Sequence, residues 1–441
     1  MRHALLFGGT RGYGSDNFYL RSFGAHKIAT HLRKQGWEVE VIDFVQEFSR
    51  IQLTQILNDR ITDKTEFIGL SSLFDGDPLL NHRFTQIYEI VNGRVPVIAG
   101  SQKYASLDAF PADYYFVGFG EEAIDRWLDT GISFIEHDGR RIVDATRLYP
   151  SFPRPDSTID YEERDLIQSY EVLNIEMSRG CKFHCSFCTF TPLGVRGDFT
   201  RDADSYVNEM QRNYDKWGVT SYLVSDETIN DTSMKMEKFA RATERLSFQP
   251  TLHGFVRADL IISRPQDWDN MLRCGMIGHA YGVETFHPEA GKAIRKGMDS
   301  ERVKDGLLEV YDYFTANSHA HFDAHASNII GLPFESLASV REGIRWYQDN
   351  WKGSTLYVPL TLYRDRPNPI DTLSRFDENY DDWGYTWDEN GWIHPSGEYT
   401  EDDAKKLFCS FGNYRHVWNL PWLNMGYRYK TLIEKYKRSK L

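Results

Sequence analysis

The sequence predicts an α/β protein made of two successive strand–helix domains, a doubly wound sheet and then a partial (β/α)6 barrel, followed by a small α-rich C-terminal segment. Three observations predict it. Short apolar runs alternate with stretches of helical period from residue 3 to residue 118, a proline-rich stretch near residue 150 breaks that rhythm, and the alternation restarts at Val172 for six further strand–helix units. Strands separated by helices imply parallel sheets covered on both faces, and such sheets bind ligands beyond the carboxyl ends of their strands.

In chain order, His3–Phe7 reads as a buried strand leading into a Gly-rich loop. Phe18–Gln35 reads as a helix, with Leu20, Phe23, Ile28 and Leu32 at helical spacing and a stop at Gly36. Strands follow at Glu38–Asp43, Phe67–Leu73, Val95–Gly100 and Tyr114–Gly118, with a helix over Pro78–Val91. Residues 1–125 are therefore assigned to a Rossmann-like domain. Residues 126–170, which contain Pro150, Pro153 and Pro155, are assigned to a linker, 171–375 to the barrel and 376–441 to an aromatic-rich C-terminal segment. The expected barrel strands are Val172–Met177, Ser221–Ser225, Thr251–Val256, Gly278–Val283, His321–Ile330 and Leu356–Leu362. In a βα barrel the functional residues gather where strands end and loops begin. Trp383, Trp387, Trp392, Trp418 and Trp422 mark the last segment, where packing against the barrel is expected, with a helix over Glu401–Phe411.

Charge narrows the partners. The 51 basic and 64 acidic residues leave a net charge of −13, which disfavours an extended nucleic-acid backbone. The final YRYKTLIEKYKRSKL is locally basic and reads as a solvated amphipathic helix. No apolar run approaches the roughly 20 residues that cross a bilayer, so no membrane partner is expected. The apolar run after Met1 is too short for a signal peptide, and a cytoplasmic location is the simplest expectation.

Of five cysteines, Cys181, Cys185 and Cys188 fall within eight residues, directly after an apolar strand, while Cys274 and Cys409 stand alone. A disulfide framework would spread an even number through a short chain. Clustered thiolates suit an iron–sulfur cluster or zinc instead. Three thiolates at this spacing can each hold one iron of a cubane and leave the fourth iron open. A zinc site would need a fourth ligand, which His184 is placed to supply.

Cys181-Lys-Phe-His-Cys185-Ser-Phe-Cys188, with an aromatic before the last cysteine, resembles the signature of the radical S-adenosylmethionine (SAM) superfamily. The resemblance implies a [4Fe-4S] cluster on these three cysteines and SAM chelated at the open iron. It also implies an electron donor such as flavodoxin or ferredoxin, and cleavage of SAM to a 5′-deoxyadenosyl radical. Further residues are similar to the branch with an N-terminal B12-binding-type domain. Asp226 and Glu227, in Ser225-Asp226-Glu227, stand where the family places a polar motif near the SAM amino group. Arg257 matches the arginine after the third strand, Glu284 in Gly282-Val-Glu284-Thr would face SAM, and Phe187 would pack beside the cluster and adenine. Ile329-Ile-Gly-Leu-Pro-Phe-Glu335 is similar to IxGLPxE, whereas the PGTP-like turn appears only as Tyr363-Arg-Asp-Arg-Pro367. The resemblance covers roughly 172–370.

His319, His321, Asp323, His325 and Ser327 alternate along an expected strand and so share one face. His321, Asp323 and His325 are candidate substrate or proton-transfer groups, with a hydrogen-bonded network as the alternative.

The first domain resembles the B12-binding type through Ser71-Ser72-Leu73, Ala99-Gly100-Ser101 and Val117-Gly118-Phe-Gly120-Glu121-Glu122. The DxHxxG loop that supplies histidine to cobalt is absent; Gly9-Thr-Arg-Gly-Tyr-Gly-Ser-Asp16 stands in its place, and cobalamin is left open. The resemblance implies hydrogen abstraction from a substrate C–H bond in a nucleoside or nucleobase, a peptide or another small molecule. The alternatives are a cobalamin-dependent radical SAM methyltransferase and a non-catalytic iron–sulfur sensor.

Overall fold

Apolar residues at every position from Ala4 to Phe7 make β1 (His3–Gly8) an interior strand of the first sheet, buried on both faces. The computed structural model describes residues 1–11, 19–72, 78–104, 107–145, 157–189, 200–296, 298–365, 370–371, 373–412 and 426–441. Within the first sheet, β1 lies between β2 (Glu38–Ile42) and β3 (Thr65–Ser71), followed by β4 (Val97–Ser101) and β5 (Tyr114–Val117), all parallel. The order β2-β1-β3-β4-β5 reverses direction at β1, and the crevice at such a reversal, beyond the strand ends, is where doubly wound sheets bind ligands.

Residues 126–170 correct the sequence reading. They are not a bare linker, because β6 (Ile135–His137) and β7 (Arg140–Asp144) form a hairpin that extends the same sheet, with Tyr115 paired to Ile142. The chain divides into two compact units: Met1–Ile175 with Asn208–Val219 and Leu423–Leu441, and Glu176–Val207 with Thr220–Trp422. The basic helix Gly426–Lys440 thus belongs to the first unit rather than to a solvated tail; Leu432, Ile433 and Tyr436 are buried, and Lys440 Nζ pairs with Glu40 at 2.8 Å. Tyr149–Pro155, Leu73, Pro367, Trp418, Trp422 and most of the Gly9–Asp16 loop lie outside the described residues.

A buried charge network ties the first unit together. The Arg21 guanidinium, 1% exposed, meets Asp43 at 3.0 Å and Glu171 at 2.7 Å, and donates to the Asp165 carbonyl. His26 Nε2 reaches Asp43 at 2.8 Å. Burial works against the Asp43 carboxylate, but His26 and Arg21 hold its pKa well below the usual range. The Tyr436 hydroxyl accepts from the Asp43 amide and donates to the Val41 carbonyl, fastening the C-terminal helix to the end of β2.

The chain leaves the first unit through β8 (Val172–Ile175). In the second unit β9 (Ser221–Val224), β10 (Thr251–Arg257), β11 (Met276–Glu284), β12 (Asp323–Ile330) and β13 (Ser354–Pro359) lie side by side in chain order, every pair parallel. All six strands expected between 172 and 362 are present. The intervening helices begin on side-chain caps, including Thr232 on Lys235 N, Asp299 on Glu301 N and Ser336 on Ser339 N. Consecutive parallel strands with helices between them are the pattern of a partial (β/α) barrel. The aromatic segment packs on the strand ends of the same unit: Trp392 is fully buried, donates from Nε1 to the Leu360 carbonyl, and lies against Gly331, where a Cβ would come within 2.5 Å of its ring. Among the described residues no helix is long and apolar enough to cross a membrane.

Removing one partner of a buried ion network strands the remaining charges, at a cost of about 3–5 kcal/mol. Arg21→Met is expected to lower unfolding stability by that order, read as a reduced denaturant midpoint. A loss below about 1 kcal/mol would contradict the network's role.

Candidate active site

Most of the candidate side chains of the second unit collect at the carboxyl ends of its strands. The segment entering the cysteine loop is fixed by Asp226, just past β9. This fully buried carboxylate accepts from Met177 N at 2.8 Å, Ser178 Oγ at 2.6 Å and Lys235 Nζ at 2.8 Å. Burial works against the Lys235 ammonium, but Asp226 and Asp231 raise its pKa above the ordinary value. Asp226, expected at the SAM amino group, therefore spends its acceptor capacity on its own chain and positions the residues ahead of Cys181. Glu227 is half-buried, and its charge acts on the Cys181 sulfur.

The three cysteines are half-buried. Cys181 Sγ lies 3.8 Å from Thr228 Oγ1, beyond the end of β9. Cys185 Sγ accepts from Arg257 Nη1 at 3.2 Å, at the end of β10. Cys188 is close enough to both for its charge to act on their sulfurs. Burial raises the pKa of the Cys181 and Cys185 thiols, so metal binding there would release protons. The loop is stapled between them: Ser186 Oγ donates to the Ala293 carbonyl at 2.8 Å, and Phe376 N donates to the Ser186 carbonyl. His184 is exposed, and among the described residues no three His, Cys, Asp or Glu side chains converge on a single metal ion. Thiols spread over two strand ends suit a cluster that offers each a separate iron, and the donor set fits a [4Fe-4S] group.

Arg257 is held from several sides. Its guanidinium makes a two-point pair with Asp259 at 2.8 and 3.0 Å, donates to the Arg295 carbonyl, and lies 4.1 Å from the Phe183 ring centre. Asn230 binds both its backbone N–H and its carbonyl. Gly254 allows this approach, because a Cβ there would come within 2.2 Å of Ile229.

Glu284 closes β11 in the left-handed region, at φ 70°, where the β11–β12 register shifts between Gly282 and Glu284. Such a conformation in a non-glycine residue costs on the order of 1–3 kcal/mol and needs support from its surroundings. Lys296 Nζ supplies part of that support, with 2.7 Å to Glu284 Oε1 and 3.0 Å to the Gly282 carbonyl, and it lies 5.6 Å from the Phe187 ring. The next residue, Thr285, donates to Glu335 Oε1 and accepts from His287 N. Burial pushes the Glu335 carboxyl up to about 8, and its Oε2 has no partner among the described residues.

The candidate substrate groups sit elsewhere. Asp323 opens β12 opposite Gly278 near the start of β11, and His325 pairs with Ser354 at the start of β13, so both lie at the amino edge, a strand's length from the cysteine loop. His321 precedes the strand and is 86% exposed, and its Nε2 reaches Asp323 at 3.3 Å. Burial lowers the His325 imidazole to about 4, and its Nδ1 bonds Ser354 Oγ. Asp323, His325 and Ser327 do lie in one strand, but period-2 patterning assigns a face and says nothing of which end of the sheet carries chemistry. Lys296, Asn230, Lys235 and Glu335 were missed as site residues. Each meets its partner across a loop, with no local pattern to announce it, although Glu335 stands in the IxGLPxE-like element.

In the first unit the carboxyl edge carries buried polar atoms without a partner among the described residues: both amide atoms of Gln46, Ser72 Oγ and Ser101 Oγ. Gln46 lies against Gly9, where a Cβ would come within 2.0 Å of its Oε1. Orphaned groups at a sheet's switch point fit a polar ligand of the cobalamin kind.

Residues 175–347 match the sequence profile of the Radical SAM superfamily. That stretch of the chain is therefore a radical SAM domain. It is 24% identical over 283 residues to the cytidylyl-2-hydroxyethylphosphonate methyltransferase of Streptomyces wedmorensis, covering 49% of this chain and 53% of that one. Among solved structures it resembles the cobalamin-dependent SAM radical enzyme OxsB with aqua-cobalamin bound, at TM-score 0.57 and 16% identity, covering 87% of this chain and 56% of that one. The same enzyme with aqua-cobalamin and SAM bound gives 0.56 and 15%, over 87% and 55%. At these identities the likeness speaks for the fold, which reaches well beyond the radical SAM domain. The chain spans about half the length of these relatives.

Two outcomes follow from the buried carboxyls. Glu335 binds its proton more tightly folded than unfolded, so stability should fall as pH rises from the ordinary carboxyl value of 4.5 to about 8, by on the order of 5 kcal/mol at full ionisation. Glu335→Gln should flatten that decline, visible in Tm measured at pH 6 and pH 8.5; an unchanged slope would refute the assignment. Lys235→Met leaves Asp226 uncompensated and should cost about 3–5 kcal/mol together with iron content on reconstitution. Full iron occupancy and unchanged stability in that variant would refute the positioning role of Asp226.

Proposed function

We propose that this chain cleaves SAM reductively at a [4Fe-4S] cluster held by Cys181, Cys185 and Cys188, and acts on a C–H bond of a small-molecule, nucleoside or peptide substrate. The observation that carries this reading is the pairing of the cysteine loop with the carboxyl ends of β9 and β10, Thr228 at Cys181 and Arg257 at Cys185. When bound, the cluster and SAM supply a one-electron cleavage that yields a hydrogen-abstracting 5′-deoxyadenosyl radical. The chain's own residues do the rest. Asp226 and Lys235 hold the entrance of the loop, Arg257 hydrogen-bonds a ligand sulfur, Glu284 presents a carboxylate towards the SAM polar groups, and Phe187 screens the site from water. The low-potential electron comes from a donor such as flavodoxin or ferredoxin.

A second reading adds cobalamin in the first unit and makes the reaction a methyl transfer or a cobalamin-assisted rearrangement. It is favoured by the Gln46, Ser72 and Ser101 atoms that have no partner among the described residues at the carboxyl edge, and by likeness to a relative named as a cytidylyl-2-hydroxyethylphosphonate methyltransferase. When bound, cobalamin would supply a methyl carrier, with Gln46 and Ser72 as polar contacts.

Anaerobically reconstituted protein is expected to convert SAM to 5′-deoxyadenosine under reduction, and Cys185→Ala to lose both the cluster absorbance and the product. A wild-type protein that binds no iron would sink the proposal. Protein made with cobalamin supplied should show a cobalamin spectrum, and Gln46→Leu should weaken retention roughly tenfold, as for the loss of about one hydrogen bond. No retained cobalamin in the wild type would discard the second reading alone.

A further inference from the structure

Two cations converge on one corner of the cysteine loop. Arg257 Nη1 stands 3.2 Å from Cys185 Sγ, and the Lys296 charge acts on the same sulfur. They share a mount: Arg257 Nη2 donates to the carbonyl of Arg295, the residue before Lys296, and the Lys296 N–H is tied back to the Gly291 carbonyl. The Cys181 corner is different, with the hydroxyl of Thr228 at its sulfur and the Glu227 charge acting on it. Lys296 also grips Glu284 at 2.7 Å and the Gly282 carbonyl at 3.0 Å, and Glu284 has a left-handed backbone at φ 70°, as does Arg295 at φ 63°. Lys296 and Glu284 are each about one-tenth exposed, so water screens the pair little. Beside them lies a small pocket lined in part by Lys296, Gly282, Thr285, His287 and Asp259.

We propose that Lys296 is a positioning residue with two linked tasks: it locks Glu284 in its left-handed conformation at the mouth of the SAM site, and with Arg257 it makes the Cys185 corner of the cluster electropositive. The inference rests on the radical SAM reading and goes beyond it. The potential of an iron–sulfur cluster depends on net local charge and on hydrogen bonds to its sulfurs. A fixed cation stabilises the extra electron of the reduced state and so raises the potential. The corner with two cations is the one where the added electron is best accommodated. Lys296 joins that effect to SAM binding, because the ammonium that biases the cluster also holds the carboxylate offered to SAM.

The test uses the full chain with its cluster reconstituted and reads two quantities other than turnover: the cluster midpoint potential without SAM, and the equilibrium affinity for SAM. Lys296→Met should shift the midpoint to more negative values and weaken SAM binding roughly tenfold, the scale of one lost charge-assisted contact. Lys296→Arg should restore the midpoint. Glu284→Gln should weaken SAM binding while moving the midpoint in the opposite, positive direction, because it removes the anion and leaves the ammonium. A Lys296→Met protein with full cluster content, an unchanged midpoint and unchanged SAM affinity would overturn the proposal. Should Lys296→Met fail to assemble, Glu284→Gln decides: an unmoved or negatively shifted midpoint overturns it. A wild-type cluster that forms and binds SAM keeps the radical SAM reading intact whatever the variants do.

Discussion

The Asp226 carboxylate is the constraint on which the second unit's site depends. It is wholly removed from water, so each acceptor lone pair left unfilled would cost more than a surface group's. Met177 N, Ser178 Oγ and Lys235 Nζ fill it, and the three come from two separate elements. In a dry interior the Coulombic attraction to Lys235 offsets the desolvation of both charges only while the geometry is kept. That requirement ties the segment entering the cysteine loop to the helix after β9, and the loop begins from a defined point.

The remaining geometry follows from parallel pairing. In a parallel sheet all carboxyl ends point one way, so loops distant in sequence meet at one edge. Thr228, Arg257, Glu284 and Glu335 follow or end four consecutive strands and need no long-range chain reversal to become neighbours of the cysteine segment or of one another. The first unit obeys the same rule with different chemistry. Its edge carries serine and glutamine atoms without partners among the described residues and no cysteine, which suits a polar ligand rather than a metal held by thiolate.

Much of this was legible in the chain. Strand and helix positions from 172 to 362 follow from apolar periodicity, because burial on both faces of a parallel strand leaves an unbroken apolar run. Cys181, Cys185 and Cys188 announce themselves by spacing alone. Arg257 and Glu284 stand out by motif, and the fold places both at the strand ends beside the cysteine loop. Asp226 was also picked out, but as a ligand contact, since a motif identifies a carboxylate without saying which neighbours consume its lone pairs. His321, Asp323 and His325 were placed by alternation and stand at the opposite edge. The break at the prolines suggested a linker, yet a short hairpin pairs β7 onto β5, a non-local event that composition does not record.

By itself, then, the sequence determined what depends on local pattern: the α/β class, the order of strands and helices, and the grouping of three cysteines within eight residues. Spacing along one segment decides these, and the relevant atoms are covalent near-neighbours. Only the tertiary structure decided that Lys296 holds Glu284, that Asn230 clamps Arg257, that Thr285 donates to a buried Glu335, and that the C-terminal helix folds back onto the end of β2. Each of these depends on desolvation and on contacts between residues brought together by strand pairing. Burial and charge proximity are properties of the folded chain, and they exist for no segment taken alone.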